Sequence, residues 1–241
     1  MKPNIFDIAT KELNQDAFIT WLLQYADPKY QSVNPKLNDC GKLFVNQLIR
    51  KQLTSFDGNI NKVEAGRQWE NIDVWAEIVC KKRKILLILE NKTYSAEHSN
   101  QLIRYKETGQ QFCNENSFEL SCAYLKIGSE TKKTIQAIEE KGYKTINRLN
   151  LLTLISENSY KHPLIKDYFN FIQRLEDEQN EYMEKSIKEW NGACWVGFYQ
   201  YIEATIPVNM WHFVNNPSGG FWNLSLNWKY WNDIPVYTQI E

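Results

Sequence analysis

The sequence predicts an α/β fold, a mixed sheet flanked by helices, followed by a small β appendage rich in tryptophan. Three observations predict it. Ile85 to Leu89 is apolar at both parities, as in a strand covered on both faces and therefore central in its sheet. Strand-like and helix-like segments alternate from about Asn61 to Leu149, which places helices on the faces of one sheet. From Trp190 onward the chain becomes aromatic, with Trp190, Trp195, Trp211, Trp222, Trp228 and Trp231 and a turn at Asn216-Pro217-Ser218-Gly219-Gly220.

The elements follow in order. Lys11 to Tyr25 places Leu13, Ala17, Trp21 and Tyr25 four apart with Phe18 and Leu22 beside them, the stripe of an amphipathic helix, and Pro28 follows its end. A second amphipathic segment runs from about Leu37 to Leu53, and Phe56-Asp57-Gly58-Asn59 supplies a turn. Strands are expected over Asn61 to Gln68, Ile72 to Cys80 and Ile85 to Asn91, the last two separated by Lys81-Lys82-Arg83-Lys84. Then come a polar helix over Ser95 to Thr108, a strand over Leu120 to Ile127, a helix over Lys132 to Lys141, a short strand at Tyr143 to Ile146 and a helix starting near Leu149. A long charged helix is expected from Pro163 to Trp190.

The chain thus reads as a core over residues 1–160, a long charged helix over 161–190 and the aromatic β appendage over 191–241. The appendage's rings are expected to pack a core, because a base-stacking platform needs cations that track phosphates and Lys229 is nearly alone there. Ile234 to Glu241 reads as a strand that stops without a closing turn or partner, as in a chain truncated relative to its natural length.

Composition narrows the function classes. With 241 residues the chain can bury a sizeable core, and no stretch approaches the roughly 18 apolar residues that span a bilayer. The N-terminus lacks a basic segment followed by an apolar run, so no secretory signal is read and the expected location is the cytoplasm. Five scattered cysteines without a CxxC pair suit neither a disulfide framework nor a thiolate zinc site. A formal charge of -1 argues against nonspecific coating of nucleic acid, while leaving room for a local basic groove.

The chemistry-bearing residues cluster at one end of the expected sheet. If Lys81 to Lys84 form a four-residue reversal, Asp73 lies across from Lys92 and Trp75 across from Glu90, so Asp73 and Glu90 are diagonal neighbours, about 7 to 8 Å apart on one face. Two carboxylates at that separation can share a divalent cation, and Mg²⁺ is commonly anchored by one or two carboxylates plus substrate phosphate oxygens. The main-chain carbonyl of Asn91 is expected to point between them as a further ligand. Lys92 is placed to orient an attacking water or offset developing negative charge. Lys82 and Lys84 lie at the opposite end of the hairpin.

Asp73, followed after a hairpin by an apolar strand ending in Glu90-Asn91-Lys92, resembles the bipartite acidic and E-x-K motif of the PD-(D/E)xK nuclease superfamily. Gln101-Leu-Ile-Arg-Tyr105 on the next helix is similar to the QxxxY motif of recombination exonucleases, and Glu12 matches the acidic residue that many members carry on their first helix. The N-terminal run from Glu12 to Leu23 is similar to a bacterial group within the superfamily, and the likeness spans about Asn4 to Asn158. Ile72 stands where the family name has proline, and the tryptophan-rich tail has no counterpart.

The resemblance implies a three-layer, restriction-endonuclease-like core of αβββαβ order and metal-dependent phosphodiester hydrolysis, in DNA ahead of RNA. It implies Mg²⁺, with Mn²⁺ as a substitute, held by Asp73, Glu90, Asn91 and Glu12, with Lys92 as the catalytic lysine and Gln101 and Tyr105 orienting substrate.

Blander readings compete. An E-x-K at a strand end is common by itself, and the ordered set carries the argument. Glu12 could be a first-turn acid serving its helix dipole, with Asp16 one turn later competing for its role. Tyr105 could simply pack beneath the sheet. His98 lies close in sequence to the proposed site, but a single histidine in a polar segment is usually solvated, and His162 and His212 have no ligand-like neighbours, so none is assigned a metal. Two rival wholes stand beside the enzyme: a catalytically silent nuclease-fold module binding nucleic acid or protein, and an unrelated α/β protein in which these residues form a surface ion-pair network.

Overall fold

The computed structural model describes residues 3–81, 83–93, 100–157 and 162–241. Helices α1 (Ile5–Ile8), α2 (Glu12–Tyr25) and α3 (Pro35–Arg50) precede strands β1 (Lys62–Trp69), β2 (Ile72–Cys80) and β3 (Arg83–Lys92). There follow α4 (Gln101–Asn116), β4 (Glu119–Lys126), α5 (Lys132–Glu140), β5 (Lys144–Asn147), α6 (Arg148–Glu157) and α7 (Pro163–Asn180). The five strands form one sheet in chain order, antiparallel through β1, β2 and β3 and parallel through β3, β4 and β5. This is the helix-flanked mixed sheet that the alternation of elements predicts. Among the described residues no helix is long and apolar enough to cross a membrane.

β3 is central, and Ile85 to Leu89 are each no more than 1% exposed, since helices cover the strand on both faces. The β2–β3 register differs from the expected one by two residues. Trp75 pairs with Ile88 and Val74 with Leu89, because the strands reverse between Cys80 and Arg83, with Lys81 in a left-handed conformation (φ 51°). A two-residue reversal with positive φ matches the twist of a hairpin, but a run of four basic residues gives no glycine or asparagine to announce it. Each residue keeps its face, since the displacement is even.

The stripe on α2 is also displaced. Leu13 is 53% exposed and Ala17 is exposed, while Gln15, Asp16, Phe18, Ile19, Thr20, Leu22 and Leu23 face inward. The inward face meets the end of the sheet, where polar partners are required, and so it is not uniformly apolar. α2 and α3 cross at backbone contact: a Cβ on Gly41 would lie 2.6 Å from the Leu22 carbonyl oxygen.

Residues 95–99 of the helix expected from Ser95, His98 among them, lie outside the described residues, as does Lys82; α4 begins at Gln101 and continues past Thr108 to Asn116. The charged helix expected to reach Trp190 ends at Asn180, whose Nδ2 donates to the Glu176 carbonyl oxygen at 3.0 Å. Single 3-10 turns replace it at Glu181–Met183 and Ile187–Glu189, the second opened by a capping box between Ser186 and Glu189.

The chain forms two compact units, residues 1–128 with 137–173 and residues 129–136 with 174–241. In the second, the region expected to be β opens with a helix, α8 (Gly192–Thr205), before β6 (Met210–Val214), β7 (Phe221–Trp231) and β8 (Ile234–Ile240) form an antiparallel sheet. Gly192 to Thr205 carries aromatic and apolar residues on most sides, so aromatic content alone did not reveal the helical period. β8 pairs with β7, so the last strand does have a partner. Val196, Tyr199, Trp211 and Leu224 form the core of this unit, and the Tyr199 hydroxyl bridges the carbonyl oxygens of Trp222 (3.0 Å) and Ile240 (2.9 Å). Packing does not use all of its rings: Trp228 stacks on Tyr237 at 4.4 Å yet is 37% exposed, and Trp231 is 74% exposed.

Candidate active site at the end of the sheet

β2 and β3 present alternate side chains to each face, and Asp73, Glu90 and Lys92 share one. Continuing the observed register by one residue from Val74 and Leu89 sets Asp73 directly opposite Glu90, closer than the diagonal the sequence suggested. The Lys92 Nζ lies 2.5 Å from Glu90 Oε1, 3.9 Å from Asp73 Oδ2 and 3.8 Å from Glu12 Oε2. Glu12, the first residue of α2, also accepts the Thr93 amide on Oε1 at 2.8 Å. Four residues from three elements therefore converge, with the ammonium in their midst.

Burial sets the electrostatics. The Glu90 side chain is fully buried, and desolvation pushes its carboxyl up to about 8, with the Asp73 charge adding to the effect and Lys92 opposing it. Burial likewise raises Asp73, against the pull of the Lys92 charge. Burial works against the Lys92 charge, yet Glu90, Asp73 and Glu12 together hold its ammonium above the usual lysine value.

Gln101 and Tyr105 lie one turn apart, with Gln101 Nε2 donating to the Tyr105 hydroxyl at 2.7 Å. The Tyr105 ring is 7% exposed and belongs to the core with Ile88, Tyr124 and Leu102. Burial raises its pKa, and the charges of Glu90, Asp73 and Lys92 also act on it. Packing and proximity to the carboxylates thus coexist in one residue.

Asp16, the rival the sequence offered to Glu12, and Gln15, which it did not single out, both turn inward at this end of the sheet. Asp16 is 1% exposed and accepts the Asn91 side-chain amide on Oδ1 at 2.8 Å, and burial pushes its carboxyl up to about 7. Gln15 accepts the Thr93 hydroxyl at 2.8 Å and donates to the Tyr168 hydroxyl at 2.9 Å. Their signal was a polar pair within the run that also carries Ile19, Leu22 and Leu23, hidden while the stripe was drawn through Leu13 and Ala17.

Carboxylate oxygens are the donors a hard divalent cation takes, and here they already surround a positive charge, so the residues fit such an ion. Among the described residues no group of three or more acidic, cysteine or histidine side chains is placed to hold a metal ion by itself, so an ion here would rest on fewer protein carboxylates and take its other ligands from water and substrate. The five cysteines are buried.

No curated protein and no solved structure matches the chain. The sequence profile of the PD-(D/E)XK nuclease superfamily matches residues 3–191, from the start of the described chain to the residue before α8. That span contains the whole five-stranded sheet and the Asp73, Glu90, Lys92 and Glu12 cluster, and it covers well over half of the sequence. The chain belongs to the PD-(D/E)XK nuclease superfamily.

Proposed function

We propose that the protein is a Mg²⁺-dependent nuclease that hydrolyses phosphodiester bonds, in DNA ahead of RNA. The observation that carries this reading is the Lys92 ammonium set among Asp73, Glu90 and Glu12 at the end of a sheet belonging to a nuclease family. The location is read as the cytoplasm and the source as bacterial, the latter on the likeness of the Glu12 to Leu23 segment to a bacterial group.

Asp73 and Glu90 would hold the metal, with Glu12 reaching it from α2. The Asn91 backbone lies close enough to Asp73 to act on its carboxyl, which supports the Asn91 carbonyl as a further ligand. When bound, the ion supplies charge on the phosphate oxygens and a lowered pKa for an attacking water. In hydrolysis the water oxygen bonds to phosphorus, the ester P–O bond breaks, and the leaving oxygen takes a proton. Lys92 stands where it can orient the attacking water or offset charge on the phosphate. Gln101 and Tyr105, joined to each other on α4, would orient substrate, a role supported by the charges of Glu90, Asp73 and Lys92 acting on the Tyr105 hydroxyl.

Cleavage of single- and double-stranded DNA and RNA with Mg²⁺ or Mn²⁺ tests the proposal, comparing the wild type with Asp73→Ala and Lys92→Ala. Cutting by the wild type that both substitutions abolish supports it. Absence of cutting, or cutting that survives both changes, favours a silent nuclease-fold module that binds nucleic acid or a protein partner.

A further inference from the structure

Three consecutive contacts tie α2 to the end of β3. Glu12 Oε1 accepts the Thr93 amide, Gln15 Oε1 accepts the Thr93 hydroxyl, and Asp16 Oδ1 accepts the Asn91 side-chain amide, each at 2.8 Å. The Asp16 bond is buried, with Asp16 1% and Asn91 0% exposed, and the far end of Gln15 is fixed by the Tyr168 hydroxyl. The Asn91 side chain alternates with those of Glu90 and Lys92 along β3 and so leaves the opposite face of the sheet, while Thr93 is the residue that follows the strand.

A buried carboxylate is a poor source of stability compared with an apolar side chain of similar size. Its neighbours here are a motif residue on one side and a core helix on the other. We propose that Asp16, assisted by Gln15, is a positioning residue: by gripping Asn91 and Thr93 from behind, it fixes the twist of β3 at its end and thereby the placing of Glu90 and Lys92 on the front. The proposal rests on the nuclease reading only for its chemical consequence, since the grip itself belongs to the protein without metal or substrate. Asp16 need only accept a hydrogen bond for this purpose. An asparagine retains an acceptor oxygen at the same distance, whereas alanine does not.

The test uses the full chain in three variants, Asp16→Ala, Asp16→Asn and Thr93→Val, the last removing the hydroxyl held by Gln15 without touching the carboxylate. Amide hydrogen exchange on the metal-free protein reads the grip directly. Asp16→Ala should speed exchange at Asn91, Lys92 and Thr93 by about tenfold or more, the loss of one charge-assisted buried bond, while Ile85 to Leu89 stay protected. Thr93→Val should act in the same direction more weakly. Asp16→Asn should restore most of the protection.

Mn²⁺ titration followed by calorimetry gives the second readout, with Asp16→Ala weakening binding by about 10- to 100-fold, as loss of a residue behind a metal ligand does, and Asp16→Asn recovering it. Unchanged exchange at Asn91 to Thr93 in both Asp16→Ala and Thr93→Val overturns the inference, and so does Asp16→Asn proving as damaging as Asp16→Ala. If the wild type binds no Mn²⁺, the nuclease reading fails, while the exchange pattern still decides the role of Asp16.

Discussion

The Lys92 Nζ rests 2.5 Å from Glu90 Oε1, although the two residues leave the same strand only two positions apart. The lysine thus sits against the most deeply buried carboxyl of the cluster, where another cation would have to bind. Lys92→Ala removes this charge from both the resting site and the reaction. Single-turnover cleavage should fall by about 10²- to 10³-fold, the range for losing one preorganised electrostatic donor. Thermal unfolding of the same variant at pH 7 should remain cooperative, because the Glu90 carboxyl, pushed up to about 8 by burial, is mostly neutral at that pH and leaves little buried charge unpaired when the ammonium is gone.

Stability should depend on pH with a sign set by the acidic groups. Asp16 goes from 3.8 to about 7 on folding, Glu90 from 4.5 to about 8, and Asp73 is raised as well. The native state therefore binds more protons than the unfolded chain between those limits, and stability falls as pH rises from about 5 to 8. Lys92 acts outside that window: its raised value contributes stability below the unfolded lysine value of 10.5 that is lost above it. Differential scanning calorimetry across pH 5 to 8 without metal should show a declining Tm.

Mn²⁺ should reverse that decline, since its binding requires deprotonated carboxylates and so strengthens with pH. At one hundred times Kd the ion adds about 2.7 kcal/mol, a rise in Tm on the order of 5 to 10 °C for a unit of this size. A Tm indifferent to Mn²⁺ at pH 8 would contradict the proposed ligand set.

Gly128 sits beside Thr93, donating its amide to the Thr93 carbonyl at 3.1 Å, and a methyl group there would overlap that oxygen. Gly128→Ala should cost about 1 to 3 kcal/mol by overpacking. It should also lower cleavage more than tenfold by displacing the strand end. Urea denaturation and the cleavage assay measure the two effects separately.

Tyr199→Phe isolates the second unit. Its hydroxyl has one proton to share between the Trp222 and Ile240 carbonyl oxygens, and its loss leaves both without that donor. A destabilisation of about 1 to 2 kcal/mol is expected. Near-ultraviolet circular dichroism, dominated by tryptophan, should report it while metal binding stays unchanged.

The sequence made the central strand, the order of elements and the Asp73, Glu90, Lys92 set legible because each rests on short-range periodicity or on residue types that chemistry requires together. Ile85 to Leu89 is one such case: apolar at both parities, it is buried on both faces. Other features depended on geometry that periodicity does not encode. The Cys80 to Arg83 reversal turns on a left-handed Lys81, a conformation that lysine does not advertise. The inward face of α2 was misplaced because it carries Gln15 and Asp16 toward polar partners on β3, so the most apolar stripe was not the buried one. α8 was hidden by aromatic composition, and the end of α7 by a charged run that continues beyond Asn180.

The two-residue reversal between β2 and β3 constrains how this hairpin can change over time. Adding or removing a pair of residues at the turn slides Asp73 along the same face relative to Glu90, whereas a single insertion sends every side chain of one strand through to the other side. The segment joining the two halves of the acidic motif is therefore free to vary in length only in even steps unless a bulge absorbs the odd residue.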